Sequence, residues 1–435
     1  MRNKAGVISL GCSKNQVDSE LMLGCLRDAG FELTANEAEA DVIIVNTCGF
    51  ITPAKEESIQ AILIAAQNKK PGALLVVAGC LSQRYPKELK EEMPEVGLFW
   101  GVGDHSGLVE RIRAIKGVRD SCAYSGKRVL STPPYSAYLR IADGCDNRCA
   151  YCAIPLIRGG RRSVPMENLI AEAERLANGG VEELTLIAQD TSAYGAELYG
   201  KPMFAELLKR LAEIGGLRWI RVLYAYPNTV TEELIDTMLA HDNIVKYIDM
   251  PIQHIDPVML ERMNRHGSAE HIRRITDYIR AASPEFILRT TVMLGFPGET
   301  EKQFMQLKEF LCEHPFDRVG AFAFSPEEGT PAALFPEQIP EETAARRLDE
   351  IMRAQSRISL SLNQTRVGRN YEVLVERTRG STLYGRSYAE APDVDGMIQC
   401  IGAPEGVKPG MRVNVRITGA GAYDLKGETA HEPAQ

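Results

Sequence analysis

The 435-residue chain lacks any apolar run long enough to cross a bilayer. Its longest uncharged apolar stretch, Ala73 to Leu81, falls far short of the roughly 20 residues that a spanning helix needs. The N-terminus, MRNKAGVISLGCSKNQ, has no apolar segment followed by a small-residue cleavage site. Secretion, and the disulfides that go with it, are therefore not expected, and a cytoplasmic location is. Histidine is scarce and scattered: there are seven, and His266 and His271, five apart, do not share a helix face, so neither Ser/His/Asp nor Cys/His chemistry is favoured. Net positive charge is missing too. Fifty Lys and Arg stand against 58 Asp and Glu, a net charge of −8, so no sequence-specific nucleic-acid binding is expected and a basic protein partner fits better.

What is present is ordinary globular material, 44% hydrophobic and 25% charged. At about 150 residues per domain the length suggests roughly three domains. The first is α/β. VISL (7–10), DVIIVN (41–46) and ALLVVA (73–78) are β-branched apolar runs separated by helical patterns, which reads as consecutive strands of a parallel sheet. Ser13 is placed to cap a helix running to Ala29, and Thr52-Pro53 reads as a cap followed by proline at the first helical position.

Ten cysteines in a reducing compartment are first metal ligands, catalytic groups or core filler. Cys12, Cys48 and Cys80 each follow the C-terminal end of one of these strands, the rim where open α/β sheets bind ligands. Three successive βα loops would bring three thiols to a common point; three unrelated half-buried cysteines is the reading the residues leave open. Cys25 falls within a helical apolar pattern and reads as core, while Cys122, Cys312 and Cys400 have no partner at ligand spacing.

Cys145, Cys149 and Cys152 lie within eight residues, in IADGCDNRCAYC, just past the strand-like AYLRIA. Structural zinc needs four ligands and no fourth Cys or His is near in sequence. Ferredoxin-type clusters also take four cysteines. Three thiolates on a short loop suit a 4Fe-4S cubane with one iron open, and an open iron can chelate the amino and carboxylate groups of S-adenosylmethionine. Five further strand-like runs follow, at 183–188, 219–224, 246–250, 286–293 and 318–324, with helical patterns between them. Six βα units make an open, partial barrel with its mouth at the strand C-termini. Gln189, Asp190, Gly295 and Glu299 stand at such ends and are candidate contacts to S-adenosylmethionine or substrate. GVGDHSG at 101–107 superficially matches a dinucleotide loop, but its third glycine is out of register and no clear strand precedes it. Arg158, Arg161 and Arg162 form a group able to hold a carboxylate of substrate or cofactor, while each taken singly reads as part of a solvated basic loop.

Pro340 to Asn363 reads as a polar linking helix, and the segments after Arg366 as a five-stranded all-β barrel of OB-like type. Between Arg366 and Gln435 there are nine Lys/Arg and nine Asp/Glu, with APDVDG as an acidic loop, a balance that suits a cationic protein surface better than RNA.

Taken together, LGCSKNQVDSE, VNTCGF, VAGCLSQRY, ADGCDNRCAYCAIPLIRG, IAQDTSAYG, LRTTVMLGFPGET, FSPEEGTPA and GAYDLKGE resemble the radical S-adenosylmethionine methylthiotransferases nearly end to end. The resemblance implies an N-terminal methylthiotransferase domain (1–120), a radical core (131–364) and a terminal TRAM barrel (366–435). It implies two 4Fe-4S clusters, an auxiliary one on Cys12, Cys48 and Cys80 and a radical one on Cys145, Cys149 and Cys152, with two S-adenosylmethionine molecules serving as methyl donor and radical source. It implies a low-potential electron donor such as flavodoxin or ferredoxin, and a monomer. The tRNA-modifying branch shares the six cysteines, so the acidic pair Glu327 and Glu328, YAYP, DMPIQH and the charge balance of the last barrel direct the reading to the branch that methylthiolates an aspartate β-carbon of ribosomal protein S-twelve. A tRNA adenosine methylthiotransferase and a non-enzymatic iron–sulfur carrier are the alternatives.

Overall fold

The computed structural model describes residues 3–118 and 125–430. Its first domain is a five-stranded parallel sheet in which Glu32–Leu33, Lys4–Ser9, Val42–Thr47, Leu74–Gly79 and Leu98–Phe99 lie side by side in that order. Val42–Thr47 and Leu74–Gly79 are buried at every position because both faces are covered. Val42, Ile44 and Val76 pack against the helices Ser13–Asp28 and His105–Lys116, while Ile43, Val45 and Val77 pack against Thr52–Asn68 and Pro86–Glu92.

Six parallel strands follow, each paired with its neighbour in sequence: Ser136–Arg140, Glu183–Ile187, Trp219–Val222, Ile244–Asp249, Ile287–Leu294 and Arg318–Ala323. The sheet curves without closing, as a six-unit partial barrel, and its outer face carries the largest apolar cluster. Its helices start where side chains can satisfy their first amides. Thr231, Asp256 and Ser268 cap the helices Glu232–Ala240, Pro257–Arg262 and Ala269–Ala282, and Thr300 with Gln303 forms a reciprocal capping box at Glu301–Glu313.

Helix Glu341–Gln364 leads to a closed barrel of five strands, Asn370–Arg379, Thr382–Arg386, Ile398–Ile401, Leu425–Thr429 and Arg412–Ala420 in spatial order, filled by Val373, Leu383, Ile398, Cys400 and Ile417 among others. This barrel closes the floor of the partial barrel. Leu374, Ala389 and Ala391 join Tyr138, Trp219, Tyr247 and Ile287 in one apolar cluster. Polar contacts reinforce it: Glu183 accepts from Arg386 at 2.7 Å and Arg221 at 3.2 Å, and Glu390 accepts from Arg366 at 2.6 Å.

Some local expectations are corrected. Cys12, not Ser13, occupies the N-cap position, and the Ser13 hydroxyl is buried with no hydrogen-bond partner. Thr52 is the first helical residue, and its N–H donates to Glu327 at 3.0 Å instead of being capped locally. A two-residue strand, Leu98–Phe99, does precede GVGDHSG, too short to stand out in an apolar count. Cys25 is a core residue as expected, and Cys400 is buried inside the last barrel; Cys122 lies outside the described residues.

Candidate functional site

Cys48 and Cys80 come one residue after the ends of their strands, and Cys12 three after its own. Close approach among them depends on glycine. A Cβ on Gly11, which has φ +86°, would lie 3.0 Å from the Cys48 sulfur, and one on Gly79, φ +94°, would strike the Asn46 side chain at 2.3 Å. Asn15 stitches the rim: its amide donates to the carbonyls of Leu10 at 2.7 Å and Thr47 at 3.2 Å, and its own carbonyl accepts from the Asn46 amide at 2.8 Å.

The second trio is held by backbone. The Cys145 N–H donates to the Gly159 carbonyl at 3.1 Å, the Cys152 N–H to the Cys149 carbonyl at 3.0 Å, and the Ala150 N–H to the Met263 carbonyl at 2.9 Å.

All six sulfur-bearing residues line a single cavity of about 350 Å³ at the mouth of the partial barrel. The described cysteines are all free thiols. Burial pushes Cys80 and Cys152 up to about 12 and Cys145 up to about 11, so loading a metal there must displace protons. Among the described residues no three His, Cys, Asp or Glu side chains are gathered tightly enough to hold one metal ion. That bears on zinc, whose 2.3 Å bonds put tetrahedral sulfurs only about 3.7 Å apart. In a cubane each thiolate takes a different iron and the sulfurs stand wider, so two separate groups of three thiols are donors that could each hold an iron–sulfur cluster.

The four other candidates separate. Gln189 lines the cavity, and its side-chain carbonyl is buried with no partner among the described residues. Asp190 stands just behind, accepting from Asn147 at 2.9 Å, and burial raises its pKa against that hydrogen bond. Gly295 and Glu299 are not among the lining residues. Glu299 is buried and accepts from Arg347 at 2.6 Å and the Gly295 N–H at 2.6 Å, while the space beside Gly295 is filled by Ala344.

Further polar and charged residues gather at or behind this mouth. Helix Ser13–Asp28 buries Lys14, Asn15, Asp18, Ser19 and Glu20, an inward polar face whose only trace in the sequence is weak amphipathicity. The Lys14 ammonium stands 3.0 Å over the Tyr224 ring. Tyr224 and Gln253, both lining the cavity, have φ of +62° and +67°, a left-handed conformation that costs a bulky residue energy and recurs at functional sites. Arg158 is not solvated: it is buried, with Asp18 at 2.8 Å, Asp143 at 3.0 Å and the Cys80 sulfur at 3.6 Å. Burial opposes the Asp18 charge, but Arg140, Arg158 and His105 outweigh it and hold that carboxyl below its usual range. Arg162 remains exposed, and Arg161 pairs with Glu197 at 3.0 Å. Glu327 of the acidic pair faces the first domain, accepting from Lys55 at 2.9 Å and Arg84 at 3.1 Å, so its charge docks domains instead of meeting a partner. Asp395 of the APDVDG loop is likewise turned inward, toward Tyr247 at 2.7 Å.

Comparison with known proteins agrees with this architecture. Residues 4–101 match an uncharacterized protein family, UPF0004, residues 139–311 the radical SAM superfamily, and residues 367–430 the TRAM domain. Relatives named ribosomal protein uS12 methylthiotransferase RimO include one from Pelotomaculum thermopropionicum, 49% identical over 98% of this chain and 99% of its own. Others come from Heliobacterium modesticaldum, 47% identical over 99% and 96%, and from Clostridioides difficile, 45% identical over 99% and 100%. The fold is similar to that of the radical S-adenosylmethionine methyltransferase TsrM from Kitasatospora setae with cobalamin and a 4Fe-4S cluster bound, at TM-score 0.57 and 16% identity over 77% of each chain. It is also similar to the cobalamin-dependent S-adenosylmethionine radical enzyme OxsB, at TM-score 0.53 and 13% identity over 82% of this chain and 56% of that one. With near-full-length identity of this order, and a radical SAM domain joined to a TRAM barrel, the chain belongs to the RimO family of radical S-adenosylmethionine methylthiotransferases.

Proposed function

We propose that this enzyme inserts a methylthio group at the β-carbon of an aspartate in ribosomal protein uS12. The observation that carries the reading is the meeting of six thiols from two domains at one cavity. Cys12, Cys48 and Cys80 hold an auxiliary 4Fe-4S cluster and Cys145, Cys149 and Cys152 the radical one; with only three protein ligands each, both leave an iron open. When bound, these clusters and two S-adenosylmethionine molecules supply a methylated sulfur and a radical able to remove an unactivated hydrogen. The protein's own part is positioning and exclusion of water. Glycines 11 and 79 let the rim close, the backbone bonds at 145–152 shape the second loop, and Gln189 lines the cavity as a contact to S-adenosylmethionine or substrate, with Asp190 behind it holding Asn147.

The names of the relatives support uS12 as the substrate, and a net charge of −8 suits a basic ribosomal protein. We further assign residues 1–120, 131–364 and 366–435 to three functional domains, a low-potential donor such as flavodoxin or ferredoxin as reductant, and a monomer as the working state. The test is mass spectrometry in a deletion strain. Loss of a methylthio unit from the uS12 aspartate, restored by the wild-type gene, supports the reading. Unmodified adenosine in tRNA with uS12 still methylthiolated would reject it in favour of tRNA chemistry. Iron analysis is independent: about eight irons per reconstituted chain are expected, and about four would contradict two cubanes.

A further inference from the structure

The cavity contains two arginines, Arg158 and Arg265, each with a guanidinium within hydrogen-bonding reach of one cysteine sulfur, and their electrostatic situations are opposite. Arg158, 3.6 Å from the Cys80 sulfur, is neutralised by Asp18 and Asp143. Arg265 stands 3.8 Å from the Cys149 sulfur. Among the described residues no carboxylate lies within ion-pair distance of Arg265; its partners are the Tyr151 hydroxyl at 3.0 Å, the Pro251 carbonyl at 2.6 Å and the face of Tyr226 at 4.4 Å. These contacts engage both terminal nitrogens and one face, and so hold the cation in place beside the Cys149 sulfur. A cation kept away from water without a counter-charge is costly. With iron bound, the Cys149 sulfur and the charge delocalised over the irons would supply the compensating anion.

We propose that Arg265 is a positioning residue that raises the reduction potential of the cluster on Cys145, Cys149 and Cys152 through its N–H···S contact to Cys149, biasing the incoming electron toward that cluster. This rests on the assignment of those cysteines as ligands. The step is a one-electron reduction: an electron from the external donor adds one negative charge to the cluster, and a fixed positive charge beside a ligand sulfur favours the reduced form. No proton or bond need move.

The test uses the full chain with Cys12→Ala, Cys48→Ala and Cys80→Ala, reconstituted anaerobically and titrated with dithionite while the reduced cluster is followed by electron paramagnetic resonance. About four irons per chain in this background are expected; none would remove the ligand assignment and this proposal together. With iron loaded, Arg265→Gln is expected to lower the reduced-to-oxidised ratio at fixed potential about tenfold, a shift of about 59 mV for one electron. Arg265→Lys, which keeps the charge, is expected to recover part of it. An unchanged midpoint in loaded Arg265→Gln overturns the proposal. Should that variant load no iron, Tyr151→Phe decides, since it frees one tether and keeps the charge; a smaller shift in the same direction is expected, and none overturns the proposal. A shift seen only with S-adenosylmethionine present, alongside weakened S-adenosylmethionine binding, makes Arg265 a carboxylate ligand and also overturns it.

Discussion

The mouth and the floor of the partial barrel are built on the same six strands, yet they treat polar groups in opposite ways. At the floor, buried charges are paired: Glu183 lies between Arg386 and Arg221, Glu390 faces Arg366, and the hydroxyls of Tyr138 and Tyr247 donate to Asp393 and Asp395. At the mouth stand raised thiols, an unpartnered Gln189 carbonyl, two bulky residues at positive φ, and Arg265 with no carboxylate beside it among the described residues. Ion pairs at the floor specify how the third domain seats on the barrel; at the mouth the paired Arg158 stands beside groups that lack such partners, and these hold free energy available to a ligand. The difference follows the general polarity of βα architectures, whose strand C-termini carry chemistry and whose opposite face carries stability.

That contrast can be broken or sharpened by substitution. Cys149→Ala should abolish 5′-deoxyadenosine formation and reduce iron from about eight to about four per chain, with the thermal midpoint of the metal-free protein nearly unmoved; loss of folding would show that the mouth too is structural. Glu183→Ala should do the reverse. Removing one partner of a buried ion pair costs about 3–5 kcal/mol, so denaturant titration should show a large fall in stability, while any folded fraction still cleaves S-adenosylmethionine.

The pH dependence of the floor has a definite sign. Burial would raise Glu183 and Glu390, but the arginines facing each outweigh it and hold both at about 2, below the ordinary 4.5. Their stabilisation is therefore complete above about pH 4.5 and lost as the pH falls from there toward 2. Differential scanning measurements across that window should show a falling midpoint that Glu183→Gln flattens. A flat wild-type profile would mean that the pair is not formed in solution.

Smaller effects are expected where the two domains of the mouth meet. Glu327→Gln removes a charge that Lys55 and Arg84 share with the Thr52 amide, at a cost of about 2 kcal/mol, and hydrogen exchange should quicken at residues 52–58 and 325–330 together. Quickening on one side alone would argue against docking. Tyr247→Phe at the floor should cost about 1 kcal/mol, the ordinary value of one hydrogen bond.

Much of this was legible in the chain. Strand runs, six βα units and the five short segments of the last barrel are local patterns, and the structure reproduces them with ends moved by at most three residues. The caps were less secure, because Thr52 takes its partner from Glu327, 275 residues away. The inward polar face of helix Ser13–Asp28 escaped notice for a related reason: Asp18 is buried at little cost only because Arg140 and Arg158, far along the chain, come to meet it.

By itself, then, the sequence determined the elements, their order and the eight-residue loop of three cysteines, since periodicity and short spacing are properties of contiguous residues. Tertiary structure alone decided that Cys12, Cys48 and Cys80 face the other trio across one cavity, that Arg158 is paired with carboxylates while Arg265, among the described residues, is not, and that Asp395 of the acidic loop turns inward. These depend on which distant side chains share a low-dielectric space, and chain spacing carries no record of that.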